Sequence, residues 1–257
     1  MLTEVSPPTT APSGVGDVRR AGQRFWEYLD ARLTPTERQS ASGEPVLTLT
    51  HPATGSVTGR VQVYDAPGLQ AIVRTTLDHG PHHLTQIVAF ADPGSEVPHL
   101  TYEASANPGG EWLTVDLIPR VAPTEHPQWT DHVYGPLSDL VWQMHAREDA
   151  RQSLIRAVHR LRMSPWLLSM RLDDVSALAP LEGAACAFVD RFATLLDDGL
   201  PATATTGLSP QQLADRDAAE RRLLYSWDAT QNYRFLEQLG GPACVEDIQA
   251  ILRHPNP

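Results

Sequence analysis

Residues 97–131, VPHLTYEASANPGGEWLTVDLIPRVAPTEHPQWTD, decide how this chain is read. Leu100, Tyr102 and Ala104 alternate with Thr101, Glu103 and Ser105, which is the period of a strand. Glu103 therefore falls on the face opposite Leu100 and Tyr102. Asn107-Pro108-Gly109-Gly110 is a turn signal, after which Trp112–Ile118 returns as a second strand. A hairpin of two apolar strands that carries a carboxylate is either a solvated edge or the floor of a pocket.

Upstream of the hairpin, the runs Pro45–His51, Val57–Ala66, Gln70–Asp78 and His83–Ala91 are strand-like and separated by Pro- and Gly-containing turns. Six consecutive strands with short links predict an antiparallel meander. Before them, Val18, Ala21, Phe25, Trp26, Leu29 and Leu33 recur at helical spacing over Val15–Leu33, and Pro35 ends the pattern. Residues 1–14 read as a disordered leader from their Pro, Ser, Thr and Gly content. From Trp129 onward the pattern turns helical, with helices expected at 127–147, 148–162, 180–198, 209–238 and 242–253. The expectation is one domain over 15–257 of the α+β class. Its architecture is a three-layer α/β/α sandwich around a mainly antiparallel sheet of about six strands.

Composition narrows the function. A net charge of −11 argues against generic nucleic-acid binding. The chain has no lysine, which excludes Schiff-base lysine chemistry and a P-loop lysine, and suggests a GC-rich bacterial genome. No apolar run is long enough to span a membrane, and no secretory signal opens the chain, so a cytoplasmic location is expected. Cys186 and Cys244 are too few for a disulfide framework or a metal site and read as small buried apolar residues. His79, His82 and His83 cluster at a turn, and His126, His132 and His145 lie near one helix, but neither group has metal-ligand spacing. Neither G-x-S-x-G nor G-x-G-x-x-G after a strand occurs, so no metal and no resident redox cofactor are expected.

Acid–base chemistry remains. Glu103 is one candidate. Asp228 is the other, beside Trp227 and one helical turn before Asn232. A carboxyl against aromatic surface has its charged form disfavoured, which suits it to donate a proton near neutral pH. A solvated surface position is the alternative for each.

The order Pro98-His99-Leu100-Thr101-Tyr102-Glu103, the VDLIPR that follows, HPQW, Val133-Tyr134, Ser138-Asp139, and Asp228 followed by Asn232 resemble the red chlorophyll catabolite reductases. They resemble the ferredoxin-dependent bilin reductases more distantly. The likeness runs from about Leu84 to Asp139 and from Asp215 to Ile251. It implies an open tetrapyrrole pocket between the sheet and the C-terminal helices, with Glu103 and Asp228 as proton donors. Gln86, Asn232, Arg120, Arg234, Tyr102 and Trp227 would contact the substrate, the arginines through its carboxylates. It also implies reduction of a linear tetrapyrrole-like substrate by single electrons from an external [2Fe–2S] ferredoxin, with no bound cofactor. One departure stands out: some bilin reductases carry a His on the strand before the acidic residue, where this chain has Gln86.

An acidic ferredoxin calls for a local basic surface. Residues 145–171 hold six arginines against Glu148 and Asp149. Arg147/Arg151 and Arg156/Arg160 are expected as i, i+4 pairs on one helix facing that partner. Two rival readings use the same pocket: a pigment- or metabolite-binding protein without catalysis, and a biosynthetic oxidoreductase acting on another natural product.

Overall fold

The computed structural model describes residues 15–39, 43, 45–153, 160–225 and 232–255, with side chains of the last stretch from Leu236 onward. The first helix, α1 (Val15–Leu33), buries the predicted stripe, with Ala21 and Leu29 fully enclosed. Strands follow as β1 (Thr36–Glu37), β2 (Leu47–Thr50), β3 (Val57–Asp65), β4 (Leu69–His79), β5 (His82–Ala91), β6 (His99–Asn107) and β7 (Gly110–Ile118). Helices α2 (Pro127–Tyr134) and α3 (Ser138–His145) lead to strands β8 (Ala150–Gln152) and β9 (Leu168–Leu172). Four longer helices finish the chain: α4 (Leu178–Asp198), α5 (Pro210–Leu224), α6 (Asn232–Gly240) and α7 (Pro242–Arg253).

The sheet runs β1-β3-β4-β5-β6-β7-β9-β8, with β2 also on β3, and the pairings are antiparallel. The predicted meander is its centre. Nine strands replace the expected six, because β1, β8 and β9 add to the edges. The helix expected over 148–162 is corrected: residues 150–152 form β8, paired with β9, and residues 154–159 lie outside the described residues. Pairing to an open sheet edge overrides the helical preference of a charged, Ala-containing run. The helix expected over 127–147 is broken at Gly135-Pro136 into α2 and α3, since proline lacks the N–H that a continuing helix needs. The span 209–238 becomes α5 and α6, with residues 226–231 outside the described residues.

Helices α1 and α4 cover one face of the sheet, packing on Ile72, Ile87, Ala89, Leu100, Tyr102, Ala104, Leu113 and Val115. Helix α1 lies so close to β5 that a Cβ on Gly22 would sit 2.6 Å from the Thr85 hydroxyl oxygen. Phe25 of α1 stacks on Tyr102 with ring centroids 3.7 Å apart. On the other face, Leu224, Tyr225, Leu236, Leu239, Val245 and Ile248 from the C-terminal part pack on Val61, Val63, Val73, Val88 and Phe90. The outcome is the expected α+β sandwich with helices on both sides. No helix among the described residues is long and apolar enough to cross a membrane.

Candidate functional site

The C-terminal helices bury the apolar β3–β5 part of their face. Across β5, β6 and β7 the same face turns polar. Register places Thr75 opposite Gln86, Gln86 opposite Glu103, Glu103 opposite Thr114, and Thr114 opposite Ser169. Side chains alternate along strands, so these five form one continuous rung on one face. The next rung on one side carries Ser105, Trp112 and Arg171; on the other it carries Val88, Thr101 and Asp116. Gln86, Thr101, Glu103 and Thr114 are half-buried within strands whose other residues are largely enclosed. The hydroxyl of Ser105 donates to Glu103 Oε1 at 3.3 Å, and the Thr114 and Ser169 hydroxyls are 3.0 Å apart. Strand β6 lies between β5 and β7, so Glu103 stands in mid-sheet on a half-buried polar patch and not on a sheet edge.

Beside the patch lies a carboxyl that the sequence reading passed over. Asp116 is wholly buried. Its Oδ2 accepts the backbone N–H of Ser164 at 2.7 Å, and its Oδ1 accepts the Ser164 hydroxyl. Burial pushes this carboxyl up to about 7, although the Ser164 donors and the Leu117 N–H favour its charged form. Ser164 in turn accepts the N–H of Trp166, whose ring stacks on Tyr134 at 4.6 Å. These bonds hold the segment before β9 against β7. An Asp inside the apolar run WLTVDLI, two residues from Thr114, was the available signal.

A buried ionic network closes one end of the patch. The N–H of Ala91 donates to His99 Nδ1 at 3.0 Å, so Nε2 carries the proton and lies 2.6 Å from Asp217 Oδ1. Arg221 Nε approaches Asp217 Oδ2 at 2.9 Å, and Arg120 Nη1 approaches Oδ1 at 3.6 Å. Burial and the Arg120 charge hold His99 down at about 3, so it is neutral. Burial opposes the Asp217 charge, but the His99 hydrogen bond and the two guanidiniums outweigh it and hold the carboxyl at about 2. Arg221 also lies 4.0 Å over the Phe90 ring. Glu220, one turn further along α5, is held by Arg216 at 2.8 Å and Arg162 at 3.7 Å.

The structure thus brings Gln86 and Glu103 together. Tyr102 is on the opposite face, stacked on Phe25, with its hydroxyl unbonded and pushed far up by burial; it shares no surface with Glu103. Arg120 neither ends its strand in solvent nor stands ready for a carboxylate, because Asp217 and the Pro93 carbonyl engage it internally. Arg147 and Arg151 are not a helical pair. Arg147 follows α3 and bonds Asp149 at 2.8 Å, whereas Arg151 lies in β8 and pairs with Asp173 at 2.8 Å. Arg160 is exposed; Arg156, Trp227 and Asp228 lie outside the described residues, as do the side chains of Asn232 and Arg234. Among the described residues no His, Cys, Asp and Glu cluster could hold a metal.

No protein-family model matches the sequence, and no curated protein sequence does. Among solved structures, the fold matches the crystal structure of phytochromobilin synthase from tomato in complex with biliverdin, with a TM-score of 0.69 at 13% identity. The match covers 92% of this chain and 83% of that one. At this identity the likeness is one of fold: the chain adopts the same sandwich as a protein whose structure holds biliverdin.

Proposed function

We propose that this chain is a ferredoxin-dependent reductase of a linear tetrapyrrole-like substrate, a bilin or an open-chain chlorophyll catabolite. One observation carries the reading. Glu103 stands on a half-buried polar patch, in mid-sheet on the face that receives the C-terminal helices. The fold is shared with a protein that holds a bilin. Each electron from the reduced [2Fe–2S] carrier places negative charge on the conjugated ligand. A neutral acid at its edge lowers the barrier by protonating it as the charge forms. Glu103 and Asp228 serve as proton donors. Gln86, directly opposite Glu103, offers an amide that both donates and accepts, suited to a lactam edge.

The test is an anaerobic absorbance titration with biliverdin and with an open-chain chlorophyll catabolite, with and without a ferredoxin reducing system. A saturable spectral shift, followed by bleaching or a blue shift only when reduced ferredoxin is supplied, is the expected result. Absence of any shift with either pigment overturns the reading. Gln86 gives the binding-protein alternative its one specific support, because the rung through Glu103 holds no second titratable group. A shift that reductant never alters would favour it.

A further inference from the structure

Thr101, Glu103, Thr114 and Asp116 occupy the four corners of one square on the sheet face. Thr101 is opposite Asp116 and Glu103 is opposite Thr114. Glu103 and Asp116 therefore lie on one diagonal, their backbone positions roughly 7 Å apart by sheet geometry, and the two threonines lie on the other. A threonine hydroxyl accepts one proton while giving another, so either corner can bridge the carboxyls. Glu103, Thr101 and Thr114 are half-open, whereas Asp116 is sealed beneath the Ser164 segment.

We propose that Asp116 is an internal proton store that recharges Glu103 while a ligand covers the patch. This rests on the reductase reading above. Reduction of one double bond takes two electrons, supplied singly by the reduced iron–sulfur carrier, and two protons. When the Glu103 carboxyl gives its proton to the one-electron-reduced ligand it becomes a carboxylate cut off from water. The Asp116 acid then passes its proton through a threonine hydroxyl to Glu103. Asp116 is left as a carboxylate that accepts the Ser164 N–H, the Ser164 hydroxyl and the Leu117 N–H. Both carboxyls regain their protons from solvent after the product leaves.

The surroundings suit such a store. Burial favours the acid form and three donors favour the charged one, so the two are held near balance, at about 7. The groups that face it are otherwise fixed. Tyr134 from α2 is kept neutral by burial and by the charges of Asp116 and Glu220. Glu220 from α5, whose charge acts on Tyr134, is held by Arg216 and Arg162. Asp116 acts through Glu103 and does not touch the substrate.

Two measurements on full-length protein decide it. Infrared pH titration of the wild type should show a carboxylic-acid C=O band disappearing near pH 7, and Asp116→Asn should lack it. A wild type without that band overturns the proposal. In anaerobic single turnover with biliverdin and reduced ferredoxin, Asp116→Asn should form the first protonated radical at the wild-type rate. Its later decay should slow at least tenfold and lose its pH dependence around 7, whereas Glu103→Gln stops the first step. An Asp116→Asn enzyme with wild-type decay and pH profile overturns the proposal. Should the wild type itself give no turnover, the reductase reading fails and the coupling alone decides the store. The Asp116 midpoint must then move in Glu103→Gln, and an unmoved midpoint rejects it.

Discussion

Gln86 and Glu103 stand directly opposite each other on β5 and β6, both facing the C-terminal helices. The pair sets the chemistry of the patch: one side chain can ionise and its partner cannot. Glu103→Gln keeps the shape and the hydrogen bonds of the site but removes its acid. It should leave biliverdin binding within a few-fold of wild type and lower ferredoxin-driven turnover by roughly a hundredfold or more. Paired absorbance titration and initial-rate measurements check both halves.

Gln86→His places an imidazole opposite the same carboxylate. The visible spectrum of bound biliverdin should then acquire a titration between about pH 5 and 8 that wild type lacks. A spectrum whose pH profile matches wild type would mean that residue 86 does not reach the ligand.

Asp217→Asn would leave Arg120 and Arg221 buried beside a group that no longer carries charge. Removing one partner of a buried ion network costs about 3–5 kcal/mol, and urea unfolding should show it as a lower midpoint. Because the network ties α5 to β6, the loss should appear in the fold before it appears in ligand chemistry.

The Asp116 carboxyl is held above its unfolded value, to about 7. As pH rises from about 4 to 7 the unfolded chain gives up this proton while the folded chain keeps it, so wild-type stability falls across that window. Asp116→Asn has no such proton to hold. Its stability relative to wild type should rise between pH 4 and 7 and level off above 7, as followed by urea midpoints at several pH values.

Gly22→Ala would drive a methyl into the Thr85 side chain, whose Cβ would lie 2.7 Å away. Overpacking of this kind costs about 1–3 kcal/mol. The contact lies on the α1 face, so thermal unfolding should shift while biliverdin affinity of the folded protein stays unchanged.

Much of this protein follows from local pattern. The helical stripe of α1, the central strands and the α7 span are written in periods of 3.6 and 2, which need no tertiary information. Alternation alone put Glu103 on the face away from Tyr102, as the structure has it. Edge strands were illegible, because β8 exists only through its pairing with β9, and a three-residue run has no period of its own. The same limit hid the roles of charged residues. Arg120 at the end of an apolar strand reads in sequence as free to meet a substrate carboxylate. What buries it is Asp217, 97 positions later, brought over the sheet by α5. Asp116 differs from a surface aspartate only through Ser164, 48 residues away, and through the water that this contact excludes. Sequence determined which residues alternate and which recur each turn. Only the tertiary structure decided which carboxyls meet water and which meet one another, because desolvation and register depend on partners far along the chain.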